Sequence, residues 1–132
     1  MGEDKKTILV VDDEPEIRKL VGAMVNQAGY VAITADSGEH AMTLFKKQKE
    51  PIELLITDVI QPGMSGPMLA DKLTALQPDL KVLYISGYDN THVVQKYVVE
   101  KGHDLLAKPF SVEALRSKVD QMLHSSARTT AR

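Results

Sequence analysis

Five short apolar runs, "TILVV" (7–11), "VAITA" (31–35), "ELLIT" (53–57), "KVLYIS" (81–86) and "DLLA" (104–107), punctuate the chain, and each is followed by a segment of helical length. Strands separated by helices pair in parallel through crossovers, so the alternation predicts an α/β domain with helices on both faces of a parallel sheet. Five such units, (βα)5, fit a doubly wound open sheet of strand order 2-1-3-4-5. At 132 residues, 43% of them hydrophobic, the chain has the length of one domain and enough apolar material for a sizeable core.

The helical segments differ in clarity. In the first, Ile17, Leu20, Val21, Met24, Val25 and Ala28 recur on one helical face and Gly29 stops it. A shorter second helix surrounds Ala41, Leu44 and Phe45. Ser65 is placed to cap a third, which carries Leu69, Leu73 and Leu76 and ends before Pro78. The fourth, "NTHVVQKYVVEK", offers Val93, Val94, Tyr97 and Val98 to the core. Its β-branched residues form helix reluctantly, so it is the element expected to move. Ser111 caps the last helix, with Val112, Leu115, Val119, Met122 and Leu123 on its inner face. The closing "SSARTTAR" (125–132) has no apolar period and reads as a flexible tail or linker, which leaves the domain at residues 6–124.

Lysine and arginine total 16 against 18 aspartates and glutamates, a net charge of -2, so bulk charge draws the chain neither to nucleic acid nor to an acidic membrane. The lack of cysteine removes disulfides, thiolate catalysis and zinc-cysteine sites together. No segment is long and apolar enough to span a bilayer and "MGEDKKTILV" has no signal-peptide core, which reads as a soluble, cytoplasmic protein. His40, His92, His103 and His124 are scattered without metal-ligand spacing.

Chemistry concentrates where the strands end. In an open sheet of this order, ligands bind beyond the carboxyl ends of the strands, beside the switch point between the first and third. The first strand ends in Asp12 and Asp13, the third in Asp58 and the fourth in Ser86, and the fifth runs into Lys108 and Pro109. Three carboxylates on adjacent strands repel one another and demand a cation. With oxygen ligands only, a hard divalent ion, Mg²⁺ or Mn²⁺, is the natural choice, held by Asp12, Asp13, Asp58 and the backbone carbonyl of Ile60. Lys108 supplies a second positive charge. A carboxylate between a divalent metal and a lysine, with the Ser86 hydroxyl near, can attack phosphorus in line while its neighbours neutralise the equatorial oxygens. Asp58 is the expected nucleophile.

The blocks "ILVVDDEPEIR", "LLITDVIQPGMSG", "YISGYD" and "AKPF" resemble, in order and spacing, those of the receiver domain of two-component response regulators, over about residues 6–124. The resemblance implies a flavodoxin-like fold and a regulatory role, not an enzymatic one. Asp58 would accept a phosphoryl group from the phosphohistidine of a histidine kinase or histidine phosphotransfer protein. Asp12 and Asp13 would be the acidic metal pair, and Ser86 and Lys108 would contact the phosphoryl group. A cis peptide before Pro109 is implied as well. Phosphorylation would shift two conformations in population, Ser86 moving toward the phosphoryl group and the loop at Gly87 drawing the fourth helix with it. The output face would be the fourth helix, the fifth strand and the last helix, read by a downstream protein or an attached output domain, with no direct contact to nucleic acid or membrane. "VVDDEPEIRKLV", "ISGYD" and "KPFSVEAL" further resemble receivers attached to hybrid sensor kinases, so the chain reads as a single-domain regulator or a receiver from a larger protein.

Two features depart from the family pattern. Leu105 stands where an aromatic residue is usual, which bears on coupling and not on phosphorylation, since Leu105 supplies no ligand to the site. Ile60 and Tyr88, two residues after Asp58 and Ser86, border the path of attacking water and restrict it, so a long-lived phosphorylated form is expected. Three alternatives compete. A haloacid-dehalogenase-like Mg²⁺-dependent phosphatase would use Asp12 as nucleophile and want an aspartate where Glu14 stands. A flavin module would want a serine/threonine-rich phosphate loop where strand one is followed by acids. A receiver-like binding module that is not phosphorylated would not need the full site that is present.

Overall fold

Every residue of the first strand, β1 (Thr7–Val11), is buried, because helices cover the sheet on both sides. The computed structural model describes residues 5–87, 96, 98 and 100–130, with 125–130 described by their backbone alone. β1 is joined by β2 (Val31–Ala35), β3 (Ile52–Asp58), β4 (Lys81–Ser86) and β5 (Asp104–Ala107) in one parallel five-stranded sheet of order β2-β1-β3-β4-β5. Helices whose bounds lie among the described residues are α1 (Pro15–Gln27), α2 (Gly38–Lys47), α3 (Gly66–Leu76) and the C-terminal α4 (Val112–Thr130). The expected fold and strand order are those observed.

Strand side chains alternate between faces, which divides the core in two. Ile8, Val10, Leu54, Ile56, Leu83 and Ile85 meet Val21, Met24 and Val25 of α1 and Leu115, Val119 and Met122 of α4. On the opposite face Leu9, Val11, Leu55, Val82 and Tyr84 meet Ala41 of α2 and Leu69, Ala70 and Leu73 of α3. β2 is an edge strand and buries little, with Val31 exposed.

The helix ends follow local chemistry. Ser65 accepts from the Met68 N–H and Ser111 from the Ala114 N–H, as expected, and Ser37 does the same for His40 at the start of α2. α1 begins with Pro15 after Glu14, which makes no side-chain cap. Gly29, at φ 100°, ends it.

The apolar stripes were read too generously at their margins. Leu20, Leu76 and Val112 are exposed, because each sits at the edge of its helical face or at a helix end that the sheet does not reach. β3 is one residue longer at each end than the apolar run, so Asp58 is itself a strand residue, paired with Ile85 of β4. α4 stays helical to Thr130, past Leu123 where its inner-face period stops. Of the fourth segment, residues 96, 98, 100 and 101 are helical and Val98 is buried. Val93, Val94 and Tyr97 lie outside the described residues.

One close approach fixes the loop that follows Asp58. The Gly66 N–H donates to the Val59 carbonyl at 2.9 Å, and a Cβ on Gly66 would fall 2.2 Å from the Asp58 carbonyl oxygen. That atom is backbone and cannot rotate away. Gly66→Ala is therefore expected to lower unfolding free energy by about 1–3 kcal/mol, read from urea denaturation, and to shift amide resonances at residues 58–60.

Candidate functional site

The strand order brings the loops after β1 and β3 side by side, since the chain leaves β1 toward one edge and later returns to its other side. One carboxylate oxygen from each of Asp12, Asp13 and Asp58 lies within 4.8 Å of the others. Asp12 is 3% exposed and held by its own loop: Oδ1 accepts the Glu14 N–H at 2.9 Å, and its N–H donates to the Ala35 carbonyl at 3.2 Å. Asp13 is exposed. No side-chain cap closes the start of α1, whose N-cap residue is Glu14.

Lys108 enters from β5. Its backbone N–H donates to the Ser86 carbonyl at 2.8 Å, which ties the ends of β4 and β5 together. Its Nζ stands 3.4 Å from Asp58 Oδ2 and 3.8 Å from Glu14 Oε1. The peptide between Lys108 and Pro109 is cis, as the resemblance implied. Ser86 is fully buried and donates its hydroxyl to the Gly87 carbonyl at 3.0 Å. Ile60 is 65% exposed at the mouth of the site, and its backbone N–H bonds the Asp58 carboxylate. Tyr88 lies outside the described residues.

Burial and repulsion set the charge state. Desolvation, opposed by the Glu14 N–H and reinforced by Asp58, lifts the Asp12 carboxyl from 3.8 to about 6. Burial also raises Asp58; Lys108 and the Ile60 N–H pull it back, and Asp13 adds to the rise. The donor set, three carboxylates in mutual reach with no nitrogen or sulfur ligand among them, fits a hard divalent cation. The described histidines stand apart: His40 Nδ1 is 3.2 Å from Asp36 N–H, His103 packs against Tyr84 and His124 approaches Tyr30, while His92 lies outside the described residues.

The structure brings Asp12, Asp13, Asp58 and Lys108 together, and it adds two neighbours that were not read from the sequence. Glu14 shares Lys108 with Asp58. Arg18 donates from Nη1 to the Asp12 carbonyl at 2.8 Å. The available signal was spacing: positions 14 and 18 are one helical turn apart, directly after the acidic pair.

Comparison with known proteins shows the family. The family model of the response regulator receiver domain matches residues 8–120. The chain belongs to that family, the regulatory phosphoacceptor domains of two-component systems. It is 31% identical over 118 residues to the response regulator receiver protein CpdR of Brucella abortus, aligning 89% of this chain with 97% of that protein. It is 33% identical over 119 residues to a cyclic di-GMP phosphodiesterase of Thermotoga maritima, where 90% of this chain spans 31% of the relative. The solved receiver domain of the hybrid histidine kinase CckA matches with a TM-score of 0.74 at 30% identity, covering 89% of this chain and 99% of that one. Among the described residues no helix is long and apolar enough to cross a membrane.

A carboxyl whose folded value is raised stabilises the fold when protonated, and that contribution is lost as pH climbs from 3.8 through about 6. Asp12→Asn removes the loss while keeping an oxygen for the Glu14 N–H. In metal-free buffer the variant is expected to be more stable than wild type by about 1–3 kcal/mol at pH 7, the gain fading as pH falls below about 6. Urea unfolding across that range measures it.

Proposed function

We propose that this chain is a phosphorylation-driven switch of a two-component relay, with Asp58 as the phosphoacceptor. The observation that carries the reading is the position of the Asp58 carboxylate, between the Asp12–Asp13 pair and Lys108 Nζ at 3.4 Å. An Asp58 oxygen attacks the phosphorus of a phosphohistidine on a partner kinase or phosphotransfer protein. The new O–P bond forms as the P–N bond breaks, and the imidazole leaves with its electron pair. Asp12, Asp13, Asp58 and the Ile60 carbonyl would hold Mg²⁺ or Mn²⁺, which would neutralise charge on the transferring group when bound. Lys108 covers the oxygens on the other side, and the Ser86 hydroxyl exchanges the Gly87 carbonyl for a phosphoryl oxygen.

Exchange at Ser86 is the step that turns chemistry into signal, because Gly87 leads directly toward the fourth helical segment. That segment, β5 and α4 form the output face, read by a downstream protein or an attached output domain. The receiver unit spans 6–124 with 125–132 as a tail or linker, and the protein works in the cytoplasm. The likeness to the CckA receiver supports a setting within, or served by, a hybrid kinase.

Incubation with acetyl phosphate or phosphoramidate and Mg²⁺ is expected to add one phosphoryl group, seen by intact mass, that Asp58→Asn abolishes and chelation prevents. Steady turnover with loss of labelling in Asp12→Asn alone would instead mark a phosphatase, and no labelling a binding module. Ile60, exposed at the mouth, screens the phosphorylated carboxyl from water. Ile60→Asn is expected to speed phosphate loss several-fold, about 2- to 10-fold if general positioning of water is gained; a rate no faster than wild type would overturn that role.

A further inference from the structure

Arg18 sits one turn into α1 and reaches back to the strand from which the helix departs, donating from Nη1 to the Asp12 carbonyl at 2.8 Å. The same aspartate is already fixed at its N–H by the Ala35 carbonyl of β2 and at its carboxylate by the Glu14 N–H. The carbonyl that Arg18 grips belongs to the planar peptide joining Asp12 to Asp13, so its direction sets how both acids project. We propose that Arg18 is the positioning residue of the acidic pair: it locks the Asp12–Asp13 peptide in the orientation that lets both carboxylates converge with Asp58. This rests on reading that cluster as a divalent-cation site.

The contact is directional. Among the described residues no carboxylate lies within ion-pair distance of the Arg18 guanidinium, although Glu14, one turn before it, and Asp13 are both near in sequence. Its rigid fork is committed to a carbonyl, where a lysine ammonium would present only a point charge to the surrounding acids. Arg18 is half-buried, and it lines an open cleft of about 500 Å³ between α1 and β2 with Lys19, Gly22, Asn26 and Thr34. Its side chain borders open space, so a methionine there opens no core cavity.

Charge and position make opposite predictions, which isolates the role. As a mere cation beside three carboxylates, Arg18 repels an incoming divalent ion, and deleting it tightens metal binding. As an orienting partner behind the ligands, its deletion weakens metal binding by about 10–100-fold.

The full chain is to be compared as wild type, Arg18→Met and Arg18→Lys. Methionine and lysine are both good helix formers, and urea midpoints close to wild type will show that the fold is retained. Mn²⁺ titration, followed by the electron paramagnetic resonance of free ion, is expected to give one site in wild type that Asp13→Asn removes. Arg18→Met is expected to weaken that site at least about tenfold and Arg18→Lys to restore part of it. Affinity in Arg18→Met equal to or tighter than wild type overturns the proposal. Hydrogen exchange without metal provides a second readout. The Glu14 amide, bound to Asp12 Oδ1, is expected to exchange faster by about fivefold or more in Arg18→Met while amides in the middle of β1 do not change. No change at Glu14 also overturns the proposal. No metal uptake by wild type would count against the cation reading of the cluster, and the exchange result would then decide Arg18 by itself.

Discussion

The mutual repulsion of three carboxylates is the constraint around which the rest of this structure is arranged. Like charges within 4.8 Å of one another, two of them largely buried, cost a few kcal/mol at a protein-like dielectric of about 20. A fold tolerates that only when surrounding elements have stability to spare and when something recovers the cost in function. Here β1 and β3 lie at the centre of the sheet with helices on both faces, the most constrained place available. The carboxylates therefore cannot relax by moving the strands that carry them. Their charge must be answered by Lys108, by backbone N–H groups or by a bound cation.

The answering groups come from every side of the sheet's carboxyl edge. Glu14 N–H takes one oxygen of Asp12, Ile60 N–H takes Asp58, and Lys108 faces Asp58 from β5. Lys108 is also tied through its backbone to Ser86, so a change at Asp58 bears on two strand ends at once. Such a site is well placed for a switch, because adding a phosphoryl group alters the balance of charges that sets the loops. Leu105, cross-strand partner of Tyr84, lies on the face shared with Val98 and so belongs to the packing this change would reach.

The residues that sequence reasoning placed badly share a physical cause. Leu20, Leu76 and Val112 obey a helical period, but period alone does not tell how far a neighbouring sheet extends over the helix. Asp58, by contrast, was expected to end the third strand and does so, paired with Ile85. Glu14 and Arg18 were not assigned to the site from the sequence. Their partners, Lys108 and the Asp12 carbonyl, are identified only once α1 and β5 have been packed against β1 and β3.

What the sequence determined by itself was local and periodic: five apolar runs, the helices between them, serine caps, and acids, a hydroxyl and a lysine at the ends of particular strands. Period-2 and period-3.6 patterns are imposed by backbone geometry and so can be read without knowing the fold. Tertiary structure alone decided which of those ends meet, how deeply each carboxylate is buried, and which oxygen each donor reaches. Electrostatic and hydrogen-bond energies change over a few tenths of an ångström, a scale fixed by the packing of distant segments and invisible in residue order.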